Sequence, residues 1–211
     1  ILPSVEEMGK AAADYGASIL REILLTRERV NLVVATGASQ FTVLSNLITQ
    51  PDIDWSRVHG FHLDEYVGMS GDHPASFCRY LRERFVEQVP LASFEYIRGD
   101  CFNPDNECSR LADVIDGLPL DLAFVGIGEN GHLAFNDPPA DFESDNSYLV
   151  VELDEACRRQ QLGEGWFESL AKVPTHAISM SIRQIMKIEN IVCSVPDLRK
   201  AEAVKLALQG P

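Results

Sequence analysis

The chain has 211 residues, 45% of them hydrophobic, and 18 Lys and Arg against 32 Asp and Glu leave a formal net charge of −14. One domain of this length buries a core without disulfide or metal staples, and no apolar run approaches a membrane span. The acidic balance, with no Lys/Arg run to offset it, opposes the phosphate-backbone attraction that nucleic-acid binding needs, so neither nucleic acid nor membrane is an expected partner.

The N-terminus has no basic stretch followed by an apolar one, so it does not read as a signal peptide. Ser4-Val-Glu-Glu7 reads as a capping box, after which Val5, Met8, Ala12, Tyr15, Ile19 and Ile23 recur at helical steps. Val30 to Ala35 predicts a buried strand, Thr36-Gly-Ala-Ser39 a tight loop, and Phe41, Leu44 and Leu47 a helix. The pattern repeats with a strand over Val58 to Leu63, a loop from Asp64, and helical spacing at Phe77, Leu81 and Phe85. Leu120 to Val125 precedes the glycine-rich Gly126-Ile-Gly-Glu-Asn-Gly-His132. Asn190 to Val195 precedes a last helix with Ala201, Val204 and Leu208 on one face. Phe94 to Ile97, Tyr148 to Leu153 and His176 to Ser181 are weaker strand candidates. Strands alternating with helices predict an α/β fold around a largely parallel sheet, as a single domain over 1–211. The polar stretch 136–147 is the longest interruption and is read as a lid loop. The end at Gln-Gly-Pro, straight after a helical pattern, suggests a missing C-terminal piece. Five cysteines (Cys78, Cys101, Cys108, Cys157, Cys193) without a C-x-x-C pair fit a reducing cytoplasm better than a disulfide framework or zinc knuckle.

In open α/β sheets ligands bind beyond the carboxyl ends of the strands, and the informative polar residues fall there. Thr36, Gly37, Ala38 and Ser39 form a small-residue turn that fits either a phosphate cradle or a plain strand-to-helix turn with Ser39 as N-cap. It is neither a Walker loop nor a dinucleotide fingerprint. Arg199-Lys200 follow Asp197 at a helix start, the wrong end for cations, and read as an anion site or a solvated pair. His59, His62 and Asp64 do not make a metal site, because strand alternation turns His59 away from the other two. Asp64, at a strand's carboxyl end, is either a general base or a turn carboxylate. The glycines before His132 shape a loop that presents the imidazole, and Asp137 is close enough in sequence to set its tautomer.

Ala35-Thr-Gly-Ala-Ser39, Phe61-His-Leu-Asp-Glu-Tyr-Val-Gly68 with His73-Pro74, Gly126 to Pro138, and Val173-Pro-Thr-His-Ala177 through Arg199-Lys-Ala201 together resemble the glucosamine-6-phosphate deaminase family, which shares its fold with 6-phosphogluconolactonases. The resemblance implies a three-layer Rossmann-like fold and conversion of a phosphorylated amino sugar to a ketose phosphate with release of ammonia. Asp64 would carry the proton between C2 and C1, and His132 would open the ring with Asp137 and Asn130 beside it. Thr36 to Ser39 and Lys200 would hold phosphate. Asp137 stands where Glu is common, Asn130 where many relatives carry Asp, and Ala38 where a second glycine is usual. A phosphate-binding arginine of the family has no fixed counterpart, Arg158 being the candidate. No metal or organic cofactor is implied, and a homo-oligomer is compatible with the reading. The alternatives are a sugar-phosphate isomerase or lactonase on the same scaffold, or a catalytically weakened sugar-phosphate sensor; retention of both Asp64 and His132 argues against the last.

Overall fold

The structure is a computed structural model and describes residues 1–210. Its strands in chain order are β1 (Val30–Val34), β2 (Val58–His62), β3 (Asp64–Tyr66), β4 (Ser93–Glu95), β5 (Leu122–Val125), β6 (Tyr148–Glu152), β7 (His176–Met180) and β8 (Asn190–Cys193). The helices are α1 (Val5–Thr26), α2 (Phe41–Leu47), α3 (Phe77–Leu81), α4 (Pro104–Ile115), α5 (Glu155–Gly163), α6 (Ile182–Ile185) and α7 (Ala201–Gln209).

Five strands form a parallel sheet in the order β4-β2-β1-β5-β8. The central β1, Val-Asn-Leu-Val-Val, is buried along its whole length and pairs in register with β2 on one side and β5 on the other. The chain winds outward from β1 through β2 to β4, then returns to lay β5 and β8 on β1's other edge. That reversal opens a crevice beyond the carboxyl ends of β1 and β5, where the loops Thr36–Ser39 and Gly126–His132 emerge.

Helix α1 starts where Ser4 Oγ accepts from the Glu7 backbone N–H at 3.1 Å, as the capping motif predicts. Its apolar face (Ala13, Ala17, Leu20) joins Val43, Leu44 and Leu47 of α2 over one face of the sheet. On the other face Leu111 and Ile115 of α4 meet Tyr148, Ile178 and Met180. Each fully buried Leu, Ile or Phe in these layers contributes about 1.5–3 kcal/mol, which makes the sheet a rigid base for its loops.

One feature of the sheet organisation differs from the sequence expectation. The weaker strand candidates over 148–153 and 176–181 do not extend the parallel sheet; β6 and β7 form a separate antiparallel sheet with β3 in the order β3-β7-β6. Periodicity fixes which face of a strand is apolar but carries no information about its partner. This second sheet, with the stacked Phe77 and Phe135 rings 5.6 Å apart and Tyr66 beside them, supports the crevice from below.

Candidate active site

The crevice is lined by Thr36 to Ser39 after β1, Asp64 at the start of β3, Gly126 to Gly128 and His132 after β5, and Lys200 before α7. Four segments separated by long stretches of sequence thus converge, each of them singled out on sequence; Asp64, expected to open a loop, opens the short strand β3 instead.

Asp64 and Glu65 are neighbours with opposite environments. The strand turns Glu65 away from the crevice, where its carboxylate accepts from the Tyr66 N–H (2.8 Å), Ser76 Oγ (2.7 Å) and the Cys78 N–H (2.8 Å) at the start of α3. Burial raises Glu65 above its ordinary value, while these donors oppose the shift. Asp64 faces the crevice, and its Oδ1 has no hydrogen-bond partner among the described residues. Burial, reinforced by the Glu65 carboxylate, pushes Asp64 up to about 8. A carboxyl group in that range gains and releases a proton near neutrality, as an acid–base shuttle must.

His132 is presented by the glycine loop for a steric reason. A Cβ at Gly128 would lie 2.3 Å from the imidazole Cε1, so only glycine lets the ring fold back over the loop. The imidazole Nδ1 sits 3.0 Å from Asp137 Oδ1 and is buried, with no other partner among the described residues. Asn130 braces the pair from two sides: its Oδ1 accepts from the His132 backbone N–H (3.1 Å), and its Nδ2 donates to Asp137 Oδ1 (3.0 Å). An aspartate at position 130 could not make that second bond unless protonated, so the amide suits this crowd of carboxylates. Burial works to raise Asp137, but His132, Asn130 and the Asp154 N–H (3.0 Å) outweigh it and hold the group below its ordinary value.

At the other end of the crevice Gly37, at φ +87°, turns the chain in a conformation that suits glycine. Ser39 is buried but does not cap α2, whose N-cap position is Gln40; its Oγ instead accepts from Gln40 Nε2 at 3.2 Å. This sets aside the N-cap reading of Ser39. Lys200 is only 9% exposed and has no salt bridge among the described residues. Its neighbour Arg199 is paired with Asp197 (2.6 Å) and Glu129 (3.1 Å), so the two cations differ: one is neutralised at the surface, the other left for a ligand.

Arg158 does not reach the crevice; its Nη2 donates to the carbonyls of Leu170 (2.7 Å) and Val173 (3.0 Å), tying α5 to the following loop. On α5, residues 157, 160, 161 and 164 share one face by their three- and four-residue spacing, and position 158 falls on another. The crevice wall is accordingly Gln160, Gln161 and Glu164, which sequence reasoning missed because polar side chains on a helix face read as solvated. In the loop 136–147, Asn136, Pro138, Pro139, Ala140 and Phe142 border an apolar groove beside β8. Of the histidines before Asp64, His59 Nδ1 lies 2.8 Å from Ser93 Oγ, and His62 is fully buried, with burial lowering it to about 3.

Fold and site together define a Rossmann-like α/β protein with an acid–base crevice at the switch point of its sheet. The model of the family described as glucosamine-6-phosphate isomerases/6-phosphogluconolactonase matches residues 3–211, and the chain belongs to that family. Proteins named glucosamine-6-phosphate deaminase from Bacillus cereus (strain G9842) and Bacillus thuringiensis (strain Al Hakam) are each 35% identical over 198 residues, 94% of this chain and 74% of theirs. A solved structure described as a monomeric glucosamine-6-phosphate deaminase superposes with a TM-score of 0.91 at 29% identity, over 100% of this chain and 86% of that one. A 6-phosphogluconolactonase from Shewanella baltica OS155 shares the fold, with a TM-score of 0.80 at 19% identity over 98% of this chain and 84% of that one.

Proposed function

We propose that the chain converts a hexosamine 6-phosphate, glucosamine 6-phosphate in the first instance, to the ketose phosphate fructose 6-phosphate with release of ammonia. The reading rests on family membership and above all on Asp64, a buried carboxyl group with an unpartnered oxygen in a crevice that also holds an imidazole–carboxylate pair and an unpaired lysine.

Lys200 and the backbone N–H groups of the Thr36–Ser39 turn take the phosphate, which supplies the negative charge that Lys200 lacks in the free chain. With Asp137 on its Nδ1 side, His132 uses Nε2 to accept the anomeric hydroxyl proton and return it to the ring oxygen, opening the sugar. Asp64 removes the proton from C2 as O1 is protonated, giving the C1–C2 enolamine. It then delivers the proton to C1, leaving an imine at C2. Water adds to C2, the C–N bond breaks, and ammonia leaves. Every step is a proton transfer, an addition to carbon or an elimination from it, so no metal or organic cofactor is called for. All of these groups come from one chain, so the proposed steps do not require a homo-oligomer. The five free thiols fit a reducing cytoplasm.

A coupled assay of ammonia and ketose phosphate over a panel of hexosamine 6-phosphates, with 6-phosphogluconolactone as a separate arm, tests the reading. Ammonia and ketose phosphate in equal amounts support it. Ketose phosphate formed only from an aldose 6-phosphate, run as a further arm, makes the chain an isomerase, acid release from the lactone makes it a lactonase, and binding without turnover makes it a sensor.

A further inference from the structure

Behind the imidazole, three groups of different chemistry point at one another. His132 Nδ1, a carboxylate oxygen of Asp137 and Cys157 Sγ all lie within 4.8 Å of each other. Cys157 is 1% exposed and His132 7%, and Nδ1 has no partner among the described residues other than Asp137 Oδ1, 3.0 Å away. Convergence of an imidazole, a thiol and a carboxylate is the donor set of a borderline-soft cation, with bonds of about 2.0–2.3 Å that place tetrahedral ligands roughly 3.3–3.8 Å apart. The second layer is also built: Asn130 Nδ2 donates to Asp137 Oδ1 and the Asp154 N–H to Oδ2, the kind of bracing that orients metal-binding carboxylates.

We propose that His132 Nδ1, Asp137 and Cys157 form a site for a thiophilic divalent cation of the zinc class, and that its occupation switches off the imidazole. Binding releases the thiol proton to solvent, and the thiolate and carboxylate together balance the charge of the cation. With the metal on Nδ1, the remaining imidazole proton resides on Nε2. Nε2 then has no lone pair to accept a proton from a sugar hydroxyl, so the metal acts as a reversible inhibitor rather than a cofactor.

Cobalt(II) titration of the whole chain tests the site without any substrate. One equivalent should give the near-ultraviolet thiolate-to-cobalt charge-transfer band together with the visible bands of tetrahedral cobalt, and one equivalent of zinc should displace it. Cys157→Ala, and the more nearly isosteric Cys157→Ser, should lose the thiolate band and the zinc sensitivity of whatever turnover they keep. Cys193→Ala, at an exposed cysteine, should retain both. A wild-type chain with no band, a band that survives both Cys157 substitutions, or a band lost in Cys193→Ala overturns the proposal. Cobalt binding by a chain that releases no ammonia would leave the site standing and remove the deaminase reading; a deaminase that binds no cobalt would do the reverse.

Discussion

Two aspartates, Asp64 lining the crevice and Asp137 behind the imidazole that lines it, are driven apart in acidity by their surroundings. Asp137 collects two firm donors and an imidazole, and is held below the ordinary aspartate range. Asp64 keeps an unpartnered oxygen beside the Glu65 carboxylate and is raised to about 8. The difference assigns the roles: a carboxylate that stays ionised can orient and charge-balance a histidine, whereas one that titrates near neutrality can pass a proton to and from carbon.

Replacing Asp64 tests the comparison most severely. Asp64→Asn keeps the shape but cannot accept a proton, so kcat should fall about 10²–10⁴-fold in the coupled ammonia assay while calorimetric binding of the substrate persists. The same change should raise stability in alkaline solution. Because the folded-state value of about 8 lies above the ordinary 3.8, the folded chain holds this proton more tightly than the unfolded one, and stability falls as pH rises through that window. At pH 9 the Asn variant should therefore melt above the wild type, by about 2–4 °C for each kcal/mol relieved. A lower melting temperature there would contradict the burial argument.

His132→Gln should cost about 10²-fold on the cyclic sugar and less on an open-chain analogue, because ring opening is then already done. Equal losses on both would take the histidine out of that step. Lys200→Ala should weaken phosphorylated sugars by about 10–100-fold, the worth of one charge-assisted bond, with little effect on unphosphorylated glucosamine. The ligand-free variant should melt near the wild type, since no ion pair is broken. Glu65→Gln is the mildest for chemistry and sharpens the contrast with its neighbour. It disturbs the buried acceptor of three close donors, should cost about 1–3 kcal/mol of stability, and should leave kcat nearly unchanged.

The crevice was largely legible in the sequence because its parts sit at strand ends, where apolar runs stop and small or charged residues begin. Thr36 to Ser39, Asp64, His132 and Lys200 all follow predicted strands and all reach the crevice. The helix α5 wall was not legible. Cys157, Gln160, Gln161 and Glu164 share a face, but three of the four are polar and give no hydrophobic period, while Arg158 attracted attention by charge alone. Charge identifies a residue that could hold phosphate; only the helical phase shows that this one points toward Leu170 and Val173. The second sheet was hidden for a related reason, since β3, with only three residues, is too short to show alternation. That Asn136, Pro138, Pro139, Ala140 and Phe142 of the polar loop 136–147 border an apolar groove is not legible in its composition, which carries no information about neighbours.

The central claim, that the crevice separates its two aspartates in acidity, is read most directly by a ¹³C NMR titration of side-chain carboxyl groups, with the two resonances assigned through Asp64→Asn and Asp137→Asn. The account predicts that Asp64 titrates near pH 8 while Asp137 stays ionised to below the ordinary aspartate range. Two aspartates titrating together in the ordinary range would contradict it.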